Sequence, residues 1–222
     1  MFSIVVPCHP PHFRLIRRII DNIQAFHVTE TCSIKEIIFA ASETNGDIPI
    51  PSECRYPIII HSTRSKCNAA TNRNRGWERA TGEWIVFLDS DDVYHVDKLR
   101  ITYDLLTAHP DADCLAHSYV RHGSNFVQSP ILTFNAVTGP SIYATMFPDH
   151  TWRERNPERG GFNIHMPSEF TFPVHHGVVT VRKSSHIRFK ESLNFGEDGR
   201  FCSQHAFEKK IVVTDAVLMQ YN

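Results

Sequence analysis

The chain has 222 residues, 41% of them apolar, which suits one globular domain with a substantial core. Its 23 Lys and Arg against 24 Asp and Glu leave a net charge of −1, so no global basic field exists to hold nucleic acid or an anionic membrane. No stretch approaches the ~20 apolar residues of a membrane span, and the run Met1–Pro7 is too short and too poor in basic residues for a signal peptide. The expectation is therefore a cytoplasmic protein, or one on the cytosolic face of a membrane, with no transmembrane segment. None of the six cysteines is spaced as C-x-x-C, which predicts free, mostly buried thiols rather than a zinc site.

Strand and helix signals alternate through the first half. Ser3–Val6 is a short apolar run ended by Pro7, and His9-Pro10-Pro11-His12 is a loop. Phe13, Ile16, Ile19, Ile20, Ile23 and Phe26 then recur at helical spacing. Ile37–Ala40 and Pro57–His61 read as the next strands, the first followed by a polar turn from Ser42 to Asp47. Asn68–Ala80 reads as a helix stopped by Thr81-Gly82. Trp84–Leu88 is a strand, Val96–Ala108 a helix and Cys114–Ser118 a strand. Apolar strands alternating with helices predict an α/β fold with a mostly parallel sheet covered on both faces.

The pattern changes after Arg121. Six prolines and eight aromatics fall without period between there and Pro173, which predicts a long irregular insertion on the substrate side; a plain surface excursion is the alternative. Regular structure resumes with a strand at Gly177–Val181, a helix at Glu197–Phe207 and a last strand at Ile211–Val213.

The chemistry concentrates where Trp84–Leu88 delivers Asp89-Ser90-Asp91-Asp92 to the carboxyl edge of the sheet, the edge at which open α/β sheets bind ligands. Three carboxylates in four residues repel unless a cation or donors compensate. Oxygen ligands suit Mg²⁺ or Mn²⁺, and such an ion can bridge the phosphates of a nucleotide. The competing account is an Asp-rich cap for the following helix, a role Asp92 can fill. The same string resembles the Asp-x-Asp-x-Val pattern of haloacid-dehalogenase phosphohydrolases, where the first Asp, here Asp89, is a nucleophile. That motif normally lies on the first strand, and here three strands precede it.

Four stretches together resemble glycosyltransferase family 2, which has the GT-A fold. They are Ser3–Pro10; Arg73-Asn74-Arg75-Gly76 followed by Ala80, Gly82 and Glu83; Phe87–Asp92 as a DxD motif; and Phe189, Glu191, Leu193 with Gly196-Glu197-Asp198 as a late acidic motif. The resemblance implies a Rossmann-like single domain over 1–222, with residues 1–120 as the nucleotide-sugar half and 121–222 as the acceptor side. It implies a nucleotide-diphosphate-sugar donor, by default a UDP-sugar, and a glycan or glycoconjugate acceptor. Pro7, Cys8 and His9 would line the base pocket, and Arg73 would support the donor. Asp89 would meet the ribose or the metal, with Ser90 beside it, and Asp91 would ligate Mn²⁺ or Mg²⁺. Asp198 would be the catalytic base. Family members usually carry Asp residues after the second strand; here Glu43 stands nearby as a substitute.

Further candidates come from the residues themselves. One base removing the acceptor proton during in-line attack predicts an inverting reaction. Glu197 would contact the acceptor or orient a neighbour. His176, in the pair His175-His176, is a candidate nitrogen ligand for the metal, against the commoner outcome of a packed or exposed pair. Lys66 is a candidate phosphate contact. Trp152 is a candidate sugar-stacking residue, and Arg153, Arg155 and Arg159 candidate lid residues, although Glu154 and Glu158 make a self-neutralised loop equally consistent. A nucleotide-sugar-binding module without catalysis is a third possibility.

Overall fold

The computed structural model describes residues 1–121, 136–138 and 175–222. The N-terminal half follows the alternation read from sequence. β1 (Phe2–Cys8) leads through a 3-10 turn (Pro10–Leu15) into α1 (Ile16–Gln24). β2 (Ile34–Ala41), β3 (Ile58–Ser62), α2 (Ala69–Arg79) and β4 (Trp84–Phe87) follow. All seven residues of β1 are buried, because β2 and β4 flank it in parallel and helices cover the sheet. On α1, Ile16, Ile19, Ile20 and Ile23 face the core at the spacing that predicted the helix. The periodicity begins at Phe13, but the two prolines before it tighten that first turn into 3-10 geometry. α2 lies close on β1, since a Cβ at Gly76 would collide with Val5.

Beyond β4 the chain forms β5 (Val93–Tyr94), α3 (Lys98–Ala108), β6 (Cys114–Arg121), β7 (Ala136–Thr138), β8 (Val179–Arg182), α4 (Glu197–Glu208) and β9 (Ile211–Tyr221). The strand order is β3-β2-β1-β4-β8-β6-β9-β5, with β7 also on β9. β1 to β4 and the β6–β9 pair run parallel, while β8 runs antiparallel to both β4 and β6. The sheet is therefore mixed and mostly parallel, with helices packed on it, in one domain. All six cysteines are free, as the spacing predicted.

Three local expectations need correction. β9 does not stop at Val213 but runs on to Tyr221, where it meets the short β5, which the sequence pattern did not show. Asp92 does not cap the helix after it; Asp97 occupies that position, and Asp92 accepts instead from the backbone N–H of Asn222 at 3.1 Å. Gly177 belongs to a 3-10 turn (His176–Val178) that precedes β8.

The reversal of β8 is what builds the site. β4 ends at the carboxyl edge, and Val86 pairs with Thr180. The residues just before β8 therefore lie beside the residues just after β4. Among the described residues, no helix is long and apolar enough to cross a membrane.

Candidate active site

A cleft of about 270 Å³ opens at the carboxyl edge. The end of β1 supplies Pro7, Cys8 and His9, and the end of β4 supplies Asp89, Ser90 and Asp91. The start of α2 supplies Asn68, Asn72 and Arg73. Seven of the nine residues expected to hold the donor thus share one wall. Glu43 and Lys66 are exposed outside that lining, yet both charges act on His9. Glu43 holds a left-handed backbone, φ 58°, which is uncommon for a residue with a side chain. Trp152, Arg153, Arg155 and Arg159 lie outside the described residues.

Each wall has a local cause. Asn68 caps α2 by accepting from the Thr71 N–H at 2.9 Å, while its amide donates to the carbonyls of Glu191 and Leu193. Asn72 donates to the Cys8 carbonyl and to Ser42 Oγ, tying α2 to the ends of β1 and β2. Asn74 exchanges two hydrogen bonds with the backbone of Phe189, at 2.9 and 3.0 Å. Three asparagines in one short helix thus fasten it to the cleft and to the late acidic segment. This is the signal that sequence reasoning left unused: Asn72 and Asn74 make α2 too polar on its buried side for a helix that only packs.

Arg73 is the centre of the charge network. It is 4% exposed, donates to Glu197 Oε1 at 3.0 Å and reaches both oxygens of Asp89 at 3.3 and 3.4 Å. Its guanidinium lies over the Phe189 ring. The Asp89 N–H donates to the Tyr94 hydroxyl at 2.8 Å, and Arg18 holds the Ser90 carbonyl. The β4–α3 loop is thereby fixed with Asp91 exposed beside the cleft.

The β8 reversal brings in His175 and His176. His176 Nε2 lies 3.0 Å from Asp89 Oδ2 and its Nδ1 lies 3.6 Å from Asp198 Oδ2. The ring is 1% exposed and is aligned for a hydrogen bond with neither. His175 Nε2 stands 3.9 Å from both Asp89 and Asp92. Burial works against the Asp89 charge, but His176 and Arg73 overcome it and hold the carboxyl far below the usual range. Burial and then Arg73 work against a charged His176, yet Asp89 and Asp198 raise its pKa. Burial, followed by the neighbouring Asp89 and Asp91, pushes Asp92 up to about 7. Burial, followed by His176, lowers His175 to about 3.

Two overlapping groups bring possible ligand atoms within 4.8 Å of one another: Asp89 with Asp91 and Asp92, and Asp89 with His175 and His176. Asp92 Oδ2 and both ring nitrogens of His176 lack a hydrogen-bond partner among the described residues. Buried polar atoms left in that state fit a ligand that supplies the missing partner. The oxygens suit a hard divalent ion and the imidazoles a borderline one.

Asp198 opens α4 two residues after Gly196, whose left-handed φ of 76° turns the chain into the helix. Glu197 faces Arg73 and Asp198 faces His176. The late acidic pair and the β4 acids therefore meet across one arginine and one histidine.

Comparison with known proteins agrees with this architecture. S. aureus TarS superposes with a TM-score of 0.70 at 16% identity, covering 100% of this chain and 36% of that one. Residues 1–349 of TarS in complex with UDP-GlcNAc give 0.67 at 18% identity, covering 99% of this chain and 57% of that one. At that identity the likeness concerns the fold. An uncharacterized glycosyltransferase of Haemophilus influenzae is 22% identical over 135 residues, covering 59% of this chain and 44% of that protein. The chain thus spans less than half the length of that relative. The profile described as "Glycosyl transferase family 2" matches residues 3–181. With this match over most of its length, and the GT-A sheet order carrying the acidic loop after β4, the chain belongs to glycosyltransferase family 2.

Proposed function

We propose that the protein transfers a sugar from a nucleotide diphosphate donor, by preference a UDP-sugar, to a hydroxyl of a glycan or glycoconjugate, with inversion. The observation that carries this is the convergence of Asp89, Asp91, Arg73, His176 and Asp198 at the edge where β1, β4 and α2 form a cleft. The complex of TarS with UDP-GlcNAc, a protein of the same fold, supports a donor of that class. Residues 1–120 would bind the donor and residues 121–222 would receive the acceptor.

In this scheme Pro7, Cys8 and His9 bound the pocket of the base, and Ser90 lies under the ribose side. Glu43 and Lys66 would reach in from outside that lining to meet the base edge and a phosphate. Asp91, with Asp89 or Asp92 and with His176 as the nitrogen candidate, would hold Mn²⁺ or Mg²⁺. A bound ion would add positive charge against the departing diphosphate. Arg73 keeps Asp89 and Glu197 in place and adds its own charge to the donor side. Asp198, whose pKa is lowered against burial chiefly by His176, is ionised at neutral pH and available to take the acceptor proton. The acceptor oxygen then forms the new bond at the anomeric carbon as the bond to the diphosphate breaks on the opposite face. No covalent enzyme intermediate is formed. Glu197, held by Arg73, orients that neighbour and borders the acceptor side.

The phosphohydrolase alternative needs Asp89 free to attack, and its carboxylate is instead engaged by Arg73 and His176. The test is binding of a nucleotide panel with Mn²⁺, with Mg²⁺ and with EDTA, read by calorimetry or thermal shift. UDP is expected to bind with metal and to lose its affinity in EDTA and in Asp91→Asn. Asp91 is exposed, so that variant keeps its melting temperature. Absence of nucleotide binding under every metal condition would overturn the proposal.

A further inference from the structure

Beneath the site lies a buried lysine with no ion-pair partner among the described residues. Lys98, the first residue of α3, is 0% exposed, a state lysine rarely adopts unless paired. Its Nζ donates to the Gly177 carbonyl at 3.0 Å and makes a short contact to His117 Nε2. The direction of the second bond follows from the surroundings of His117. That ring's Nδ1 lies 2.8 Å from the Ser118 carbonyl, which only accepts, so Nδ1 carries the hydrogen and Nε2 is the acceptor. Two N–H directions of the amine thus meet two acceptors. The third side of Nζ faces the Tyr94 ring, 5.5 Å away. Burial brings the Lys98 pKa down to about 7.

The carbonyl that Lys98 holds belongs to the residue immediately after His176. On its other side the same turn is clamped, since the Gly177 N–H donates to His175 Nδ1 at 3.1 Å. A Cβ at Gly177 would come within 3.0 Å of Met219 Sδ, so the turn also presses on β9. His176 itself has no aligned hydrogen bond to fix its ring. Charge attraction to Asp89 and Asp198 and packing against Phe87, Phe189 and His175 hold the ring, and the backbone beneath it sets where that ring starts from.

We propose that Lys98 is a positioning residue: through the Gly177 carbonyl, and braced by His117, it sets the imidazole of His176 between Asp89 and Asp198. This deepens the transfer scheme, and only the activity arm of its test rests on that scheme. The full chain is labelled with ¹⁵N-histidine, and the ring signals of His176 are identified by their loss in His176→Gln. In Lys98→Met, which keeps the volume but removes both donors, those signals are expected to shift or split while the protein still melts cooperatively. In parallel, UDP release from UDP-GlcNAc with Mn²⁺ is expected to lose about ten- to a hundred-fold in kcat, the scale of a small misplacement at a reacting centre. KM should stay within about two-fold, because the donor wall is untouched. His176 signals that coincide with those of the wild type would overturn the proposal, and so would an unchanged kcat. Should Lys98→Met fail to fold, Lys98→Leu, which also lacks both donors, takes its place. Failure of both to fold also overturns the proposal, since Lys98 would then be a folding residue. A wild-type protein that releases no UDP refutes the transfer scheme and leaves the histidine signals to decide the role of Lys98.

Discussion

The sheet carries a buried carboxylate cluster at each end, and the two are built differently. At the amino end, Glu36 is 4% exposed and accepts from Ser3 Oγ, from the Thr81 N–H at 2.9 Å and from Thr81 Oγ1 at 2.7 Å. The Gly82 N–H donates in turn to Ser3 Oγ. Neutral donors meet this acid, and neither it nor Ser3 is left without a partner. At the carboxyl edge, Asp89, Asp92, Glu197 and Asp198 crowd around Arg73 and two histidines, and several polar atoms lack partners among the described residues. The first cluster ties the turn between α2 and β4 to the starts of β1 and β2 and is saturated. The second is crowded with charge and unsaturated, as expected where binding rather than stability shaped the arrangement.

The largest effect is expected for Asp198→Asn. It should lower transfer by about a thousand-fold, within the usual range for a lost general base, while UDP binding stays within about two-fold. Near-normal transfer would remove Asp198 from the base role. Arg73→Met comes next. It leaves Asp89 and Glu197 facing each other in a largely buried site without their cation, and a loss of about 3–5 kcal/mol in denaturant unfolding is expected. UDP binding should weaken at the same time.

Glu36→Gln should have the smallest effect, about 1–3 kcal/mol of stability from lost hydrogen bonding, with UDP binding unaltered. Its pH signature has a definite sign. Burial opposes the Glu36 charge, but the bonds from Ser3 and Thr81 lower its pKa below the ordinary 4.5. The increment is therefore present above pH 4.5 and is lost as pH falls through the lowered value. The wild type should show that loss and Glu36→Gln should not. Coincident pH profiles for the two proteins would refute this account of the amino-end cluster.

Much of the frame is legible in the sequence because its signals are local. Continuous apolar runs mark β1, β2 and β4, the 3.6-residue period marks α1, and the acidic string marks the loop after β4. Pro7, Cys8, His9, Arg73, Asp89, Ser90 and Asp91 fall together on their motifs alone, and the cleft gathers all seven. What the sequence hides depends on strand direction. The residues around Val179–Arg182 do not say that this strand runs against β4, and that reversal alone puts His176 against Asp89. Lys98 is equally invisible, since a lysine near a helix start reads as surface. Asn222 gives no signal, and it holds Asp91 and Asp92 through a register fixed by β5 pairing with β9.

The reversal of β8 and the late arrival of β9 also bear on the order in which a ribosome delivers the parts. The acids after β4 leave the exit tunnel with Arg73 already made, but Asn222, whose N–H donates to Asp92, follows 130 residues later. At about 5–20 residues per second that interval is on the order of ten seconds. Through it, the parallel strands β1 to β4 are complete in sequence while their acidic edge still waits for its histidines and its closing strand. The half that reads most plainly as a fold is thus the half that is made first, and the chemistry is assembled last.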